Sequence, residues 1–184
     1  MILYIHGFRT THDSYVATKL KGYFKENLIS SDHSHEPHIA IKEFEKIIKK
    51  NNIKGIIASS IGGYYATFLS DKYNLKTVLI NPSVEPHNTT RIYLGENQKQ
   101  DGSTFEWKEK HLEYLSTLWI ENINPKNFYL FLKKGDEILD YKIAKKRYAT
   151  SKFLIEDNGD HRFSDIDKYC KKIGFFLKVS PNNS

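Results

Sequence analysis

Only one cysteine occurs in 184 residues, no apolar run approaches the ~18 residues that a membrane-crossing helix needs, and the opening residues lack the basic segment, long apolar stretch and small-residue cleavage site expected of a secretory signal. Cys170 therefore cannot close an internal disulfide. With Ile166, Ile173 and Leu177 it falls on one face of an expected helix and reads as a small core residue. The chain opens directly on Met1-Ile2-Leu3-Tyr4-Ile5, which gives the expectation of a cytoplasmic protein without integral membrane association. Internal repeats and low-complexity tracts are also lacking.

What is present suits one apolar core. Hydrophobic residues make up 39% of the chain, with 12 Tyr and 11 Phe, so the composition does not suggest general disorder. The length fits one domain, expected over residues 1–179, with a disordered tail at 180–184. A net charge of +6 admits an anionic partner such as nucleic acid, lipid headgroups or coenzyme A. The densest basic clusters, Lys46 with Lys49-Lys50 and Lys145-Lys146-Arg147, lie near the ends of expected helices, where cations suit the dipole. The aromatics interleaved with Lys fall mostly at strand or core-helix positions, which argues against a nucleic-acid partner.

Short β-branched or aromatic runs alternate with longer segments of helical period, the pattern of an α/β protein with a parallel sheet covered by helices. Strands are expected at Ile2–Ile5, Leu28–Ser30, Gly55–Ala58, Thr77–Ile80, Phe128–Leu132 and Lys152–Ile155. Helices are expected at Tyr15–Glu26, His38–Lys50, Gly63–Tyr73, Tyr141–Ala149 and Ser164–Leu177. The connection from Asn81 to Asn127 is too long for an ordinary loop. Its polar first part, Glu85–Thr104, precedes Trp107, Leu112, Leu115, Leu118 and Trp119, which suggest a helix across the sheet edge. An insertion over 83–125 is therefore expected to shape the substrate site.

Four stretches carry chemistry. Gly55-Ile56-Ile57-Ala58-Ser59-Ser60-Ile61-Gly62-Gly63 is an apolar strand running into a serine and then a helix, the pattern of a nucleophile elbow. A serine in such a strained turn needs small residues two positions to either side, which Ala58 and Gly62 provide for Ser60. For Ser59 the flanking residues would be Ile57 and Ile61. At the helix start the Ile61 N–H can donate to a substrate oxygen. The plain alternative is a serine that caps a helix without chemistry.

In Ile5-His6-Gly7-Phe8-Arg9 a strand ends in a His-Gly turn, which brings the Phe8 N–H forward as a second oxyanion donor. His6 suits a loop-holding role better than that of general base. Phe128–Leu132 runs into Gly135-Asp136, where a triad acid belongs; Glu137 should point away and Asp140 should cap the next helix, remaining the reserve acid. After the last strand, Gly159-Asp160-His161 supplies a lone imidazole that can take the serine proton. Ser60, Asp136 and His161 thus follow three strands of one sheet in the order Ser, Asp, His. Asp32–His38 is rich in imidazole and carboxylate but lacks the spacing of a structural zinc site, so it reads as a solvated loop with no metal, and no cofactor is expected.

Ile5-His6-Gly7-Phe8, Ser59-Ser60-Ile61-Gly62-Gly63-Tyr64-Tyr65-Ala66-Thr67, Asn81-Pro82, Tyr93-Leu94-Gly95, Gly135–Tyr141 and Gly159–Phe163 together resemble the YqiA-like family of small bacterial esterases. The resemblance implies a minimal α/β-hydrolase fold with six parallel strands in the order 2-1-3-4-5-6. It implies a small-molecule acyl ester or thioester substrate, fatty acyl-CoA among them. His6, Gly7, Arg9, Tyr64, Asn81 and Pro82 are the expected substrate-binding residues beside the triad. Ala58, where the family more usually has Gly, is sterically tolerable; Arg9 and Asp32–His38 depart from the family pattern in ways that bear on substrate preference. A hydrolase-shaped binding protein without turnover is the alternative, and the oligomeric state is left open.

Overall fold

The computed structural model describes residues 1–181. The first half contains β1 (Ile2–Ile5), α1 (Tyr15–Phe24), β2 (Leu28–Ser30), α2 (Pro37–Lys50), β3 (Gly55–Ser60), α3 (Ile61–Tyr73) and β4 (Lys76–Pro82). A short α4 (Pro86–Thr89), a hairpin of β5 (Gly95–Gln98) and β6 (Thr104–Trp107), and α5 (Glu109–Thr117) fill the long connection. The chain then completes β7 (Phe128–Lys133), α6 (Tyr141–Arg147), β8 (Lys152–Glu156) and α7 (Cys170–Leu177).

Six strands form one parallel sheet in the order β2-β1-β3-β4-β7-β8. Counting only these strands along the chain, the order is 2-1-3-4-5-6, with helices on both faces. The two-residue period of a strand divides their apolar side chains between two cores. Leu3, Ile5, Ile56, Ala58, Leu79, Leu130 and Leu132 pack on the side of α2, α3, α5 and α6. Ile2, Tyr4, Ile57, Val78, Ile80, Tyr129 and Phe131 pack on the side of α1 and α7. Strands buried on both faces read as continuous apolar runs, which is why they were legible.

Local chemistry sets several boundaries. Ser14 Oγ accepts the Ala17 N–H at 3.4 Å to start α1, and Asp140 Oδ1 accepts the Lys142 N–H at 2.9 Å to start α6, as expected of a capping residue. The expected single helix from Ser164 is instead a 3-10 turn over Ile166–Tyr169 followed by α7. Asp165 makes no capping bond there; its carboxylate lies 2.8 Å from the Lys133 ammonium.

The long connection holds more regular structure than the expected helix. Its polar half contains the β5–β6 hairpin, whose strands are too short and too polar for their alternation to stand out. Helix α5 packs against α4 and α2, and the Tyr64 hydroxyl on α3 donates to the Leu115 carbonyl at 2.9 Å. Among the described residues no helix is long and apolar enough to cross a membrane. Of the tail expected to be disordered, residues 182–184 lie outside the described residues.

Candidate active site

Strands β1, β3, β7 and β8 end at the same edge of the sheet, and the loops leaving them carry the groups singled out above. Ser60 closes β3 with φ +52° and ψ −128°, a strained backbone for a residue with a side chain and the mark of a tight strand-to-helix turn. Gly62 makes the turn possible: a Cβ there would run into the Ile5 carbonyl oxygen and lie 2.7 Å from that of His6. The end of β1 and the start of α3 thus approach backbone to backbone.

Three loops then converge. His161 Nε2 lies 3.2 Å from Ser60 Oγ, and His161 Nδ1 lies 2.8 Å from Asp136 Oδ2. Asp136 is held in turn, because its Oδ1 accepts the N–H groups of Ile138 at 2.9 Å and Leu139 at 2.8 Å. The side chains of Asp136 and His161 are 2% and 16% exposed, so the carboxylate is sealed while the imidazole edge reaches the cavity. Glu137 accepts the His161 N–H at 3.0 Å, so it braces the loop instead of pointing away.

A cavity of about 710 Å³ opens over this arrangement and is lined by Ser60, His161, Gly7, Phe8, Arg9 and Ile61 among others. Ile61 is the first residue of α3, so its N–H has no intrahelical acceptor. Phe8 is pinned by rings of the insertion, Tyr93, Phe105 and Trp107, at centroid distances of 5.5, 5.5 and 5.0 Å. The hairpin is tied to the same turn: Arg9 Nε donates to the Gln98 carbonyl and the Gln100 N–H to the Arg9 carbonyl, both at 2.9 Å.

Of the six residues expected to touch substrate, Gly7 and Arg9 line this cavity and the other four do not. His6 is 2% exposed and turns inward, its Nδ1 3.1 Å from the Gly7 carbonyl and 3.2 Å from Thr10 Oγ1. Tyr64 and Pro82 are buried in the packing around α3 and the end of β4. Asn81 is buried as well, and its amide is bonded to the His161 loop. Sequence reasoning had missed Ile92, Tyr93, Ile138 and Leu139 on the cavity wall. The apolar Ile92-Tyr93-Leu94 inside a polar insertion was the signal available.

The Asp32–His38 segment also differs from the expected solvated loop. His33 stacks on His6 with centroids 4.0 Å apart, and His35 lies 5.7 Å from His111. Burial holds His6 below the ordinary imidazole range and, with His6 beside it, His33 well below. Burial likewise lowers His111 to about 4. Among the described residues no group of three or more His, Cys, Asp or Glu side chains is arranged to hold a metal ion.

This topology and turn geometry define an α/β-hydrolase fold. The solved structures agree: mouse alpha/beta hydrolase domain-containing protein 10 superposes with a TM-score of 0.75 at 15% identity, covering 96% of this chain and 89% of that one. Est1E of Butyrivibrio proteoclasticus with bound ferulic acid gives 0.73 at 14% identity, covering 97% and 88%. More narrowly, the chain belongs to UPF0227, described as an uncharacterised protein family, which its residues 1–178 match. A UPF0227 protein of Citrobacter koseri is 24% identical and one of Vibrio parahaemolyticus 22%, each over 96% of this chain and 98% of the relative. The resemblance to YqiA-like esterases is in accord with that membership.

Proposed function

We propose that the protein is a serine hydrolase that cleaves carboxylic esters or acyl thioesters through an acyl-enzyme on Ser60. The observation that carries this reading is the continuous relay from Asp136 through His161 to Ser60 at 2.8 and 3.2 Å. A serine hydroxyl stays protonated and weakly nucleophilic near neutral pH, so it needs a base within hydrogen-bond reach. His161 Nε2 takes the Ser60 proton as Oγ attacks the acyl carbon. Asp136 accepts the Nδ1–H, which keeps the tautomer with a free Nε2 lone pair and steadies the imidazolium.

The carbonyl oxygen becomes negative in this step and needs donors already in place. The N–H groups of Phe8 and Ile61 supply them, each worth roughly 3–4 kcal/mol of barrier at such a site. His161 then returns the proton to the leaving alcohol or thiol, and water attacks the acyl-enzyme with His161 again as base. The cavity, walled by Tyr15, Val16, Ile92, Tyr93, Ile138 and Leu139, suits an apolar acyl chain of a small-molecule substrate. Residues 83–125 form the wall-building insertion of a single domain over 1–179. Arg9 at the rim suits a phosphate such as that of an acyl-CoA.

The test is a panel of acyl chain lengths offered as p-nitrophenyl esters and as CoA thioesters. Turnover is expected, with loss in Ser60→Ala and in His161→Ala. Tight binding of substrates without turnover by the wild type would favour the hydrolase-shaped binding protein instead.

A further inference from the structure

Asn81 is a bulged residue in the strand that flanks the nucleophile. In the parallel pairing of β3 with β4, Ser59 partners Ile80 and Ser60 partners Pro82, so Asn81 is the extra residue between them. A bulge breaks the alternation of side chains and re-aims one of them. Here the backbone takes φ +40°, which Asn tolerates better than most residues, and the side chain turns toward β7 and the His161 loop.

Its amide meets three backbone groups. Asn81 Oδ1 accepts the Lys133 N–H at 3.0 Å, while Nδ2 donates to the carbonyls of Asp160 at 3.0 Å and His161 at 3.3 Å. The partners fix the orientation of the amide, since one is a donor and two are acceptors. An isosteric Asp matches the first contact and opposes the other two. The next residues hold the nucleophile: Pro82 pairs with Ser60, and the Ser83 N–H donates to the Ser60 carbonyl at 2.9 Å. One short stretch of β4 therefore touches the backbone of both the proposed nucleophile and the proposed base.

We infer that Asn81 is a positioning residue, a backbone clamp that fixes the loop of His161 at bonding distance from Ser60. The inference rests on the serine-hydrolase reading for its catalytic consequence. The clamp lies behind the cavity and does not touch substrate, so its loss alters the geometry of proton transfer and leaves substrate binding alone. Misplacement of a catalytic group by about 1 Å costs on the order of 100-fold in rate.

The test compares Asn81→Gly, which suits the positive φ and deletes the amide, with Asn81→Asp, which keeps size and acceptor but removes the donors. Both are measured for thermal unfolding, kcat and KM on a p-nitrophenyl ester, and the downfield NMR resonance of the His161 Nδ1 proton bonded to Asp136. The expected result is a folded protein with kcat lowered roughly 10- to 100-fold, KM changed less than about twofold, and the Nδ1 proton resonance lost to exchange. In a His161→Ala background, Asn81→Gly should lose no further rate, because the clamp acts only through the imidazole. A folded Asn81→Gly protein with kcat near wild type and an intact His161 resonance would overturn the inference, as would an equal rate loss in the His161→Ala background. Failure of the hydrolase reading looks different: wild type then lacks turnover, while the resonance still decides whether Asn81 holds His161.

Discussion

Asp136→Asn removes one charge and changes almost no volume, which makes its expected effect unusually specific. Asp136 Oδ1 accepts the N–H groups of Ile138 and Leu139 and lies 3.0 Å from His161 Nδ1, while Oδ2 faces the same nitrogen at 2.8 Å. An Asn at this position keeps its carbonyl oxygen on the two backbone donors, which turns its NH₂ group toward the imidazole. The reverse orientation takes the carbonyl oxygen off the Ile138 and Leu139 N–H groups, one exposed and one part-buried, at about 0.5–1.5 kcal/mol each. In the orientation that keeps the loop bonds, the amide NH₂ takes the closer contact with Nδ1, which favours a lone pair at Nδ1 and the proton on Nε2, 3.2 Å from the Ser60 oxygen. The base is then occupied by the proton it should accept.

Shifting the tautomer at this cost lowers the competent population by roughly 10- to 100-fold, and the imidazolium also loses its anionic partner. Together these give a fall in kcat of about 10³–10⁴, or roughly 4–5.5 kcal/mol of barrier. KM should change little, and the melting temperature should stay within a few degrees because the two loop bonds survive. Initial rates on a p-nitrophenyl ester, with circular dichroism melting as control, make the measurement. A folded variant with kcat within tenfold of wild type refutes the argument that Asp136 sets the tautomer.

Three further outcomes follow from the packing and the buried imidazoles. His111 Nδ1 accepts the Lys108 N–H at 3.2 Å, and burial lowers its pKa to about 4, so the folded state prefers the neutral ring. Its stability contribution is complete above about pH 6.5 and is lost as pH falls toward 4, on the order of 3 kcal/mol at the limit; urea unfolding at pH 7 and 5 should show a smaller difference in His111→Gln, and an unchanged difference argues against this. Gly62→Ala places a methyl group 2.7 Å from the His6 carbonyl, so the turn must shift, and melting with ester turnover should show both stability and rate reduced; native values for both contradict the close approach. Leu130 is fully buried in the face shared with α3, so Leu130→Ala should cost about 2–5 kcal/mol in urea unfolding, and a loss under about 1 kcal/mol would contradict that packing.

Much of this architecture was legible because doubly buried strands such as Ile2–Ile5 and Phe128–Leu132 have no polar face to blur them. The chemistry-bearing residues were legible for a related reason: a strained turn leaves a steric signature, which Ala58 and Gly62 carry around Ser60. The β5–β6 hairpin was hidden because its inward residues, Asn97, Phe105 and Trp107, are separated by Glu and a polar turn. Asn81 was misjudged for a different reason. The resemblance places it among the substrate-binding residues, and only the bulge opposite Ser60 turns it toward the His161 loop. Lys133 lies just past the expected strand end at Leu132, and its ammonium is buried against Asp165 and Tyr169.

The most direct measurement is covalent labelling by a fluorophosphonate, followed by tryptic mass spectrometry of the peptide spanning residues 55–72. Adduct on Ser60, absent from Ser60→Ala and formed far more slowly in His161→Ala, is the predicted result. Adduct on Ser59 or Ser70 instead, or none on this peptide from a folded wild-type protein, would contradict an activated serine at position 60.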